Sequence, residues 1–202
     1  RKSGTLGLVT STSFFPAKPL GCYGDGGAVF TDDDRLASIM RSLSLHGKGS
    51  DKYDNVRIGL NGRLDTIQAA ILLAKLEIFD DEIKSRNKIA EIYNSELSEF
   101  LTTPFVRPNN ISAWAQYSVL AKNEKERKKI QTFLKDNGVP TAIYYPTPLH
   151  QQTAYKYLEQ SGRNLKISEE VSKRIFSLPM HPYLDEKSII KITNLIKKVL
   201  KK

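Results

Sequence analysis

The chain is 202 residues long, 40% hydrophobic and 26% charged, the balance of a globular protein able to bury a core of its own. No apolar run reaches the ~20 residues a membrane span needs, the basic start lacks the apolar stretch of a secretory signal, and a single cysteine excludes an intrachain disulfide and a Cys-rich zinc module. Lysine and arginine number 31 against 22 acidic residues, and the resulting +9 favours polyanionic partners such as nucleic acid, anionic lipid or phosphorylated small molecules.

Along the chain, Leu8 to Phe15 alternate apolar and small hydroxyl residues, which predicts a strand running into a Pro-marked loop. Four glycines between Gly21 and Gly27 precede Ala28-Val29-Phe30-Thr31, which reads as a short buried strand. Asp32-Asp33-Asp34 offer N-cap side chains for a helix carrying Leu36, Ile39, Met40 and Leu43 and stopped near Gly47. The polar, Gly-rich stretch from Gly47 to Gly62 is too irregular for an element. Leu64, Ile67, Ala70, Ile71, Ala74 and Ile78 then recur at helical spacing, continuing through Ile83, Ile89, Ile92 and Tyr93 with a break marked by Asp80-Asp81. Beyond Pro104 and Pro108 the pattern predicts a strand over Trp114 to Ala121, a helix over Lys125 to Asn137 ended by Gly138, and a strand over Thr141 to Tyr145. Helices over about Glu169 to Phe176 and Glu186 to Leu200 close the chain. This alternation argues a small α/β lobe. The basic stretch from Lys122 to Lys135 and the lysines Lys191, Lys197, Lys198, Lys201 and Lys202 read as solvated helix faces. A nucleic-acid-binding domain would need aromatic residues interleaved with them, and the two stretches hold only Phe133.

Two segments are candidates for chemistry. The loop from Gly21 to Gly27 is neither a dinucleotide fingerprint nor a P-loop, since it lacks G-x-G-x-x-G order and no Gly-Lys-Ser/Thr follows. It is equally readable as a tight connection between strands. Just upstream, Lys18 lies among apolar and proline residues in Ser13-Phe14-Phe15-Pro16-Ala17-Lys18-Pro19-Leu20. A lysine partly desolvated in such a loop has a lowered pKa and a usable amine, the partner of carbonyl substrates and of pyridoxal phosphate. Ser13 has a hydroxyl to offer a phosphate. The alternative is an exposed, inert lysine. The three histidines show no metal-ligand spacing, and no metal site is expected.

The run from Ser13 to Val29 resembles the lysine segment of the pyridoxal-phosphate-dependent sugar-nucleotide aminotransferases, the DegT/StrS group. The resemblance continues in His46-Gly47, in Gly59-Leu60-Asn61-Gly62-Arg63-Leu64-Asp65-Thr66-Ile67-Gln68-Ala69-Ala70, in Tyr145-Pro146-Thr147-Pro148-Leu149-His150 and in Leu178-Pro179-Met180-His181-Pro182. It implies an α/β fold: the end of a fold type I aminotransferase large domain over residues 1–62, a bridging helix over 63–104 and a small C-terminal α/β domain over 105–202. It also implies a missing N-terminal half that carries the groups holding the cofactor ring. Arg1, in place of a methionine, fits that expectation.

By the resemblance, Lys18 is the Schiff-base lysine of pyridoxal 5'-phosphate and Ser13 contacts its phosphate. Asn61 reaches the phosphate from a neighbouring subunit, so a homodimer with shared sites is implied. Arg63 is placed to meet an anionic substrate group. Tyr145 matches the His-Tyr-Pro substrate segment, but Tyr144 stands where the family has histidine. His150 and His181 fall on structural or substrate-edge positions. The implied reaction is transamination of a nucleoside-diphosphate keto-sugar with glutamate as donor. The wording of the blocks is most similar to the branch that aminates C3 of UDP-2-acetamido-2-deoxy-3-keto-glucuronic acid for surface-polysaccharide (lipopolysaccharide) synthesis; a 4-keto-6-deoxy sugar nucleotide is the alternative. Related sugar dehydratases carry histidine where this chain has Lys18. A cytoplasmic setting, with no membrane or nucleic-acid partner, is expected.

Overall fold

A computed structural model describes residues 1–155, 157–158 and 165–201. The chain divides into two compact units, Arg1–Asp80 and Asp81–Lys202. In the first, strands β1 (Thr10–Ser13) and β2 (Gly27–Phe30) pair antiparallel, with Thr10 opposite Phe30 and Ser13 opposite Gly27. Their register brings together the two ends of the segment that carries Lys18. The strand expected to be buried at Ala28 to Thr31 is instead half open: Val29 and Phe30 are exposed, because a two-stranded ribbon gives each strand only one neighbour.

Helix α1 (Asp34–Ser44) starts where Asp33 Oδ1 accepts the Leu36 N–H at 2.9 Å, the cap foreseen in the Asp triplet. The chain then turns through two residues of positive φ, His46 (63°) and Gly47 (78°). The irregular stretch that follows is stitched back onto the end of α1. His46 N–H donates to Leu60 O, Leu60 N–H to Leu43 O and Gly62 N–H to Ser44 O, all at 2.9–3.0 Å. At the crossing, a Cβ on Gly47 would lie 1.7 Å from the Arg57 carbonyl oxygen. Helix α2 (Thr66–Leu76) and helix α3 (Phe79–Leu97) share the long apolar pattern, but the break falls at Glu77–Ile78, ahead of Asp80-Asp81. The two aspartates occupy the first turn of α3, where carboxylates meet the positive end of the helix dipole and favour a start, not a kink.

The second unit holds the hydrophobic core. Strands β3 (Tyr117–Leu120) and β4 (Ile175–Leu178) pair antiparallel, Tyr117 opposite Leu178 and Leu120 opposite Ile175. Their buried residues pack with Ile89, Tyr93 and Leu97 of α3, Ile130 and Leu134 of α4 (Glu124–Asp136), and Ile189, Ile192 and Ile196 of α6 (Glu186–Leu200). Two expectations fail here. Helix α5 (Lys166–Arg174) stops before Phe176, which lies in β4 because Phe176 and Leu178 fill the core opposite β3. The strand expected over Thr141 to Tyr145 shrinks to one bridge, Ala142 to Ser177, before the chain turns away at Tyr144. The exposed positions of α4 and α6 are dominated by lysines, as the charge pattern implied.

One face of α3 also secures the segment after β4. Tyr93 Oη donates to Pro179 O at 3.0 Å, Arg86 Nη1 to Met180 O at 3.4 Å and Ser85 Oγ to Pro182 O at 2.5 Å. Tyr183 Oη donates to Glu82 Oε1 at 2.5 Å, and that carboxylate holds the phenol above its usual pKa. Arg86 is buried and also donates to Trp114 O at 3.0 Å.

Three stability changes are expected. Gly47→Ala should cost about 3 kcal/mol or more, since the added methyl meets backbone in a left-handed conformation. Gly138→Ala, at φ 75° but with open space around it, should cost only about 1 kcal/mol. Denaturant midpoints would show the gap, and equal costs would contradict the crossing. Tyr93→Phe should cost about 1–2 kcal/mol by leaving the Pro179 carbonyl without its donor, measured the same way.

Candidate active site

The loop between β1 and β2 is closed by main-chain hydrogen bonds. Phe14 N–H donates to Gly26 O and Cys22 N–H to Phe14 O, both at 2.8 Å. The buried Cys22 thiol adds bonds to Phe14 O and Gly24 O at 3.0 Å. Within the loop, Lys18 N–H donates to Phe15 O at 2.8 Å, closing the turn through Pro16 and Ala17. The Lys18 side chain is exposed, which corrects the expected desolvation. Among the described residues its amine has no hydrogen-bond or ion-pair partner. At the loop's start, Ser13 Oγ accepts the Phe15 N–H at 3.2 Å, which leaves the hydroxyl proton to be donated elsewhere.

Asn61 and Arg63 lie on the segment that leads into α2. Asn61 bridges Leu45, and its Oδ1 accepts Arg63 Nε at 2.8 Å. That bond orients the amide, so Asn61 Nδ2 and the two terminal nitrogens of Arg63 remain as donors. Both side chains are exposed. Among the described residues, no hydrogen bond joins this pair to the Lys18 loop.

The remaining candidates belong to the second unit. Tyr144 and Tyr145 are both exposed, their rings edge to face at 5.8 Å. His150 Nε2 sits 3.0 Å from Glu169 Oε1 in the first turn of α5, which ties the Pro-rich segment to that helix. His181 is exposed at the centre of the segment that α3 secures, and its backbone carbonyl accepts Leu184 N–H at 3.2 Å. Among the described residues, no group of His, Cys, Asp and Glu could hold a metal ion.

Two residues of α2 that carried no expectation reach the Lys18 loop. Gln68 Oε1 accepts Tyr23 N–H at 2.8 Å, and Lys75 Nζ donates to Gly21 O at 2.6 Å. Their signal in the sequence is two polar residues set seven apart on the stripe that includes the buried Leu72. The chemistry on display is a primary amine, a hydroxyl with a proton to give, and amide and guanidinium donors. That set fits a small molecule bearing a carbonyl and a phosphate.

Known aminotransferases resemble nearly the whole of this chain. The chain is 49% identical over 190 residues to the UDP-2-acetamido-2-deoxy-3-oxo-D-glucuronate aminotransferase of Pseudomonas aeruginosa, a match covering 94% of this chain and 51% of that protein. The crystal structure of a DegT DnrJ EryC1 StrS aminotransferase from Brucella abortus superposes with a TM-score of 0.92 at 52% identity, covering 97% of this chain and 52% of that one. NtdA from Bacillus subtilis, solved with its cofactor PMP bound, gives a TM-score of 0.90 at 25% identity and covers 100% of this chain and 48% of that one. The chain thus spans about half the length of the curated relatives it matches. Residues 1–197 match the model of the DegT/DnrJ/EryC1/StrS aminotransferase family, and the chain, an α/β protein with that family's fold, belongs to it.

Proposed function

We propose that the whole protein is a pyridoxal-phosphate-dependent aminotransferase acting on a nucleotide-linked keto-sugar, with C3 of UDP-2-acetamido-2-deoxy-3-keto-glucuronic acid as substrate. The observation that carries this reading is Lys18: an unpaired amine held out on a hydrogen-bonded loop, in a family of aminotransferases. The named activity of the P. aeruginosa relative supports the choice of sugar, and PMP in NtdA, the aminated form of pyridoxal phosphate, supports the cofactor.

Residues of this chain divide the work. Lys18 Nζ would hold the cofactor covalently, and its amine, when free, would accept and return a proton at the substrate carbon. Ser13 Oγ and Asn61 Nδ2 donate to the cofactor phosphate. Bound pyridoxal phosphate supplies the electron sink for the broken C–H bond. Arg63 meets the uronate carboxylate with its two terminal nitrogens, a planar two-bond pairing that lysine cannot reproduce. Tyr144, Tyr145 and His181 are exposed and take the outer part of the sugar nucleotide, while His150 acts through Glu169.

Glutamate is the amino donor in this reading, the setting is cytoplasmic, and the product feeds surface-polysaccharide synthesis. The enzyme works as a homodimer in which Asn61 and Arg63 serve the neighbouring site. Apolar residues exposed around that pair support this arrangement, with Ile58 99% exposed and Leu60 and Ile67 largely so.

Whole protein mixed with pyridoxal phosphate is expected to show a visible absorption band that borohydride abolishes. Lys18→Ala should lose the band and at least about a thousandfold in turnover; turnover persisting in that variant would refute the assignment. Arg63→Lys should lower kcat/KM about ten- to a hundredfold with the uronic acid and far less with a neutral keto-sugar. An equal loss with both would remove the basis for the acidic substrate.

A further inference from the structure

The grip of α2 on the Lys18 loop has a use that the roles above leave out. Gln68 and Lys75 hold the loop on both sides of Cys22: Gln68 takes the N–H of Tyr23 at 2.8 Å, and Lys75 takes the carbonyl of Gly21 at 2.6 Å. Lys75 Nζ also lies 5.2 Å from the centre of the Tyr23 ring. The fit is close. A Cβ on Gly24 would stand 3.2 Å from Gln68 Nε2, and one on Gly21 would stand 2.7 Å from the carbonyl oxygen of Pro16. Gly21 therefore abuts the start of the turn that Lys18 N–H closes on Phe15 O. The Lys75 side chain thus holds Gly21, and Gly21 is packed against the Pro16 carbonyl in the turn that bears Lys18.

Burial does not call for the Gln68 bond, since Tyr23 is exposed and water could satisfy its N–H, whereas the Lys75 bond serves the carbonyl of buried Gly21. What they remove is conformational freedom. Each loop residue left loose carries about 1–2 kcal/mol of backbone entropy, and a reacting amine in a defined place gains the advantage of proximity. We propose that Gln68 and Lys75 are positioning residues that hold Lys18 Nζ for condensation with the aldehyde of pyridoxal phosphate. In that condensation the nitrogen adds to the aldehyde carbon, a C=N bond forms and the carbonyl oxygen leaves as water, with no change of oxidation state. The inference rests on the function proposed above.

The test uses the whole protein and pyridoxal phosphate itself. The rate at which the visible band appears on mixing is followed, and the C=N bond is trapped with borohydride and located by peptide mass spectrometry. Gln68→Met, which keeps the shape and loses the acceptor, should slow trapping at Lys18 about tenfold, the worth of one hydrogen bond. Gln68→Glu restores an acceptor and should stay within about threefold of the parent. Lys75→Met should slow trapping like Gln68→Met. Melting temperatures, measured alongside, are expected to change little, whereas a merely structural role would lower them and leave the trapping rate of the folded protein unchanged. Trapping at the parental rate in both methionine variants, or Gln68→Glu as slow as Gln68→Met, would overturn the inference. If Gln68→Met fails to fold, Gln68→Glu and Lys75→Met decide in the same terms. Absence of any trapped adduct at Lys18 in the parent protein would overturn the cofactor assignment itself, and this inference with it.

Discussion

The carbonyl oxygen of Phe14 accepts two donors from one residue, Cys22 N–H at 2.8 Å and Cys22 Sγ at 3.0 Å, and the loop that displays Lys18 is built around that point. No hydrophobic core lies inside so short a loop. Its shape is set instead by paired backbone groups and one buried sulfur. The packing there is full, since a Cβ on Gly26 would fall 2.9 Å from that sulfur and from Leu64 Cδ1. Serine would offer a stronger donor, but the thiol suits a place closed on all sides, where a cysteine behaves as a small apolar group. Most backbone needs are met inside the loop, Gln68 and Lys75 of α2 meet two more, and Lys18 is turned outward.

The same device recurs in the second unit at larger scale. There a true core of aliphatic and aromatic residues holds β3, β4, α3, α4 and α6 together, and the irregular segment after β4 hangs on side chains of α3. In both units a helix offers polar side chains to the backbone of a loop that bears an exposed candidate residue, Lys18 in one and His181 in the other. Arg86 marks how far this goes. A buried guanidinium is costly, and here it spends its hydrogen bonds on the carbonyls of Trp114 and Met180, while Nε finds no protein partner among the described residues. Burial pulls its pKa down and the carboxylate of Glu82 opposes that pull, so the charge is kept. Such an arrangement is explicable as the holding of a loop shape, not as a gain in stability.

Helix boundaries with local signals were legible in the sequence. Asp33 caps α1 as the aspartate triplet implied, and α6 spans Glu186 to Leu200 as its apolar spacing requires, while Asn123 and Asp185 cap α4 and α6 in the structure. Where the expectation failed, a distant partner decided. Phe176 continues the helical spacing of α5, but burial opposite Val119 outweighs one more helical turn. Thr141 to Tyr145 carry strand-forming residues, yet only Ala142 finds a paired neighbour. The candidate site was legible to the extent that its chemistry is local: Lys18, Ser13, Asn61 and Arg63 stand out by residue type and by resemblance. Gln68 and Lys75 did not, because a glutamine and a lysine on a helix are ordinary until the loop they hold is placed beside them. The desolvation expected of Lys18 was a property of surroundings that apolar neighbours in sequence do not determine.

Asn61 and Arg63 show how one hydrogen bond can set the orientation of two donor groups at once. Because Asn61 Oδ1 accepts Arg63 Nε at 2.8 Å, the amide is turned so that only its Nδ2 donors face outward. The same bond consumes the one guanidinium nitrogen that an end-on carboxylate pair does not need, and leaves Nη1 and Nη2 as a fork. Both ends then present donors, and both suit anions. Without its partner the amide of Asn61 is free to rotate and offer an acceptor where an anion has no use for one. Without Asn61, the Arg63 side chain has four torsions to order before it can pair. Lysine in place of Arg63 keeps the charge but loses both the fork and the donor that orients Asn61. The identity of arginine at this position thus bears on two sets of donors, its own fork and the amide it orients.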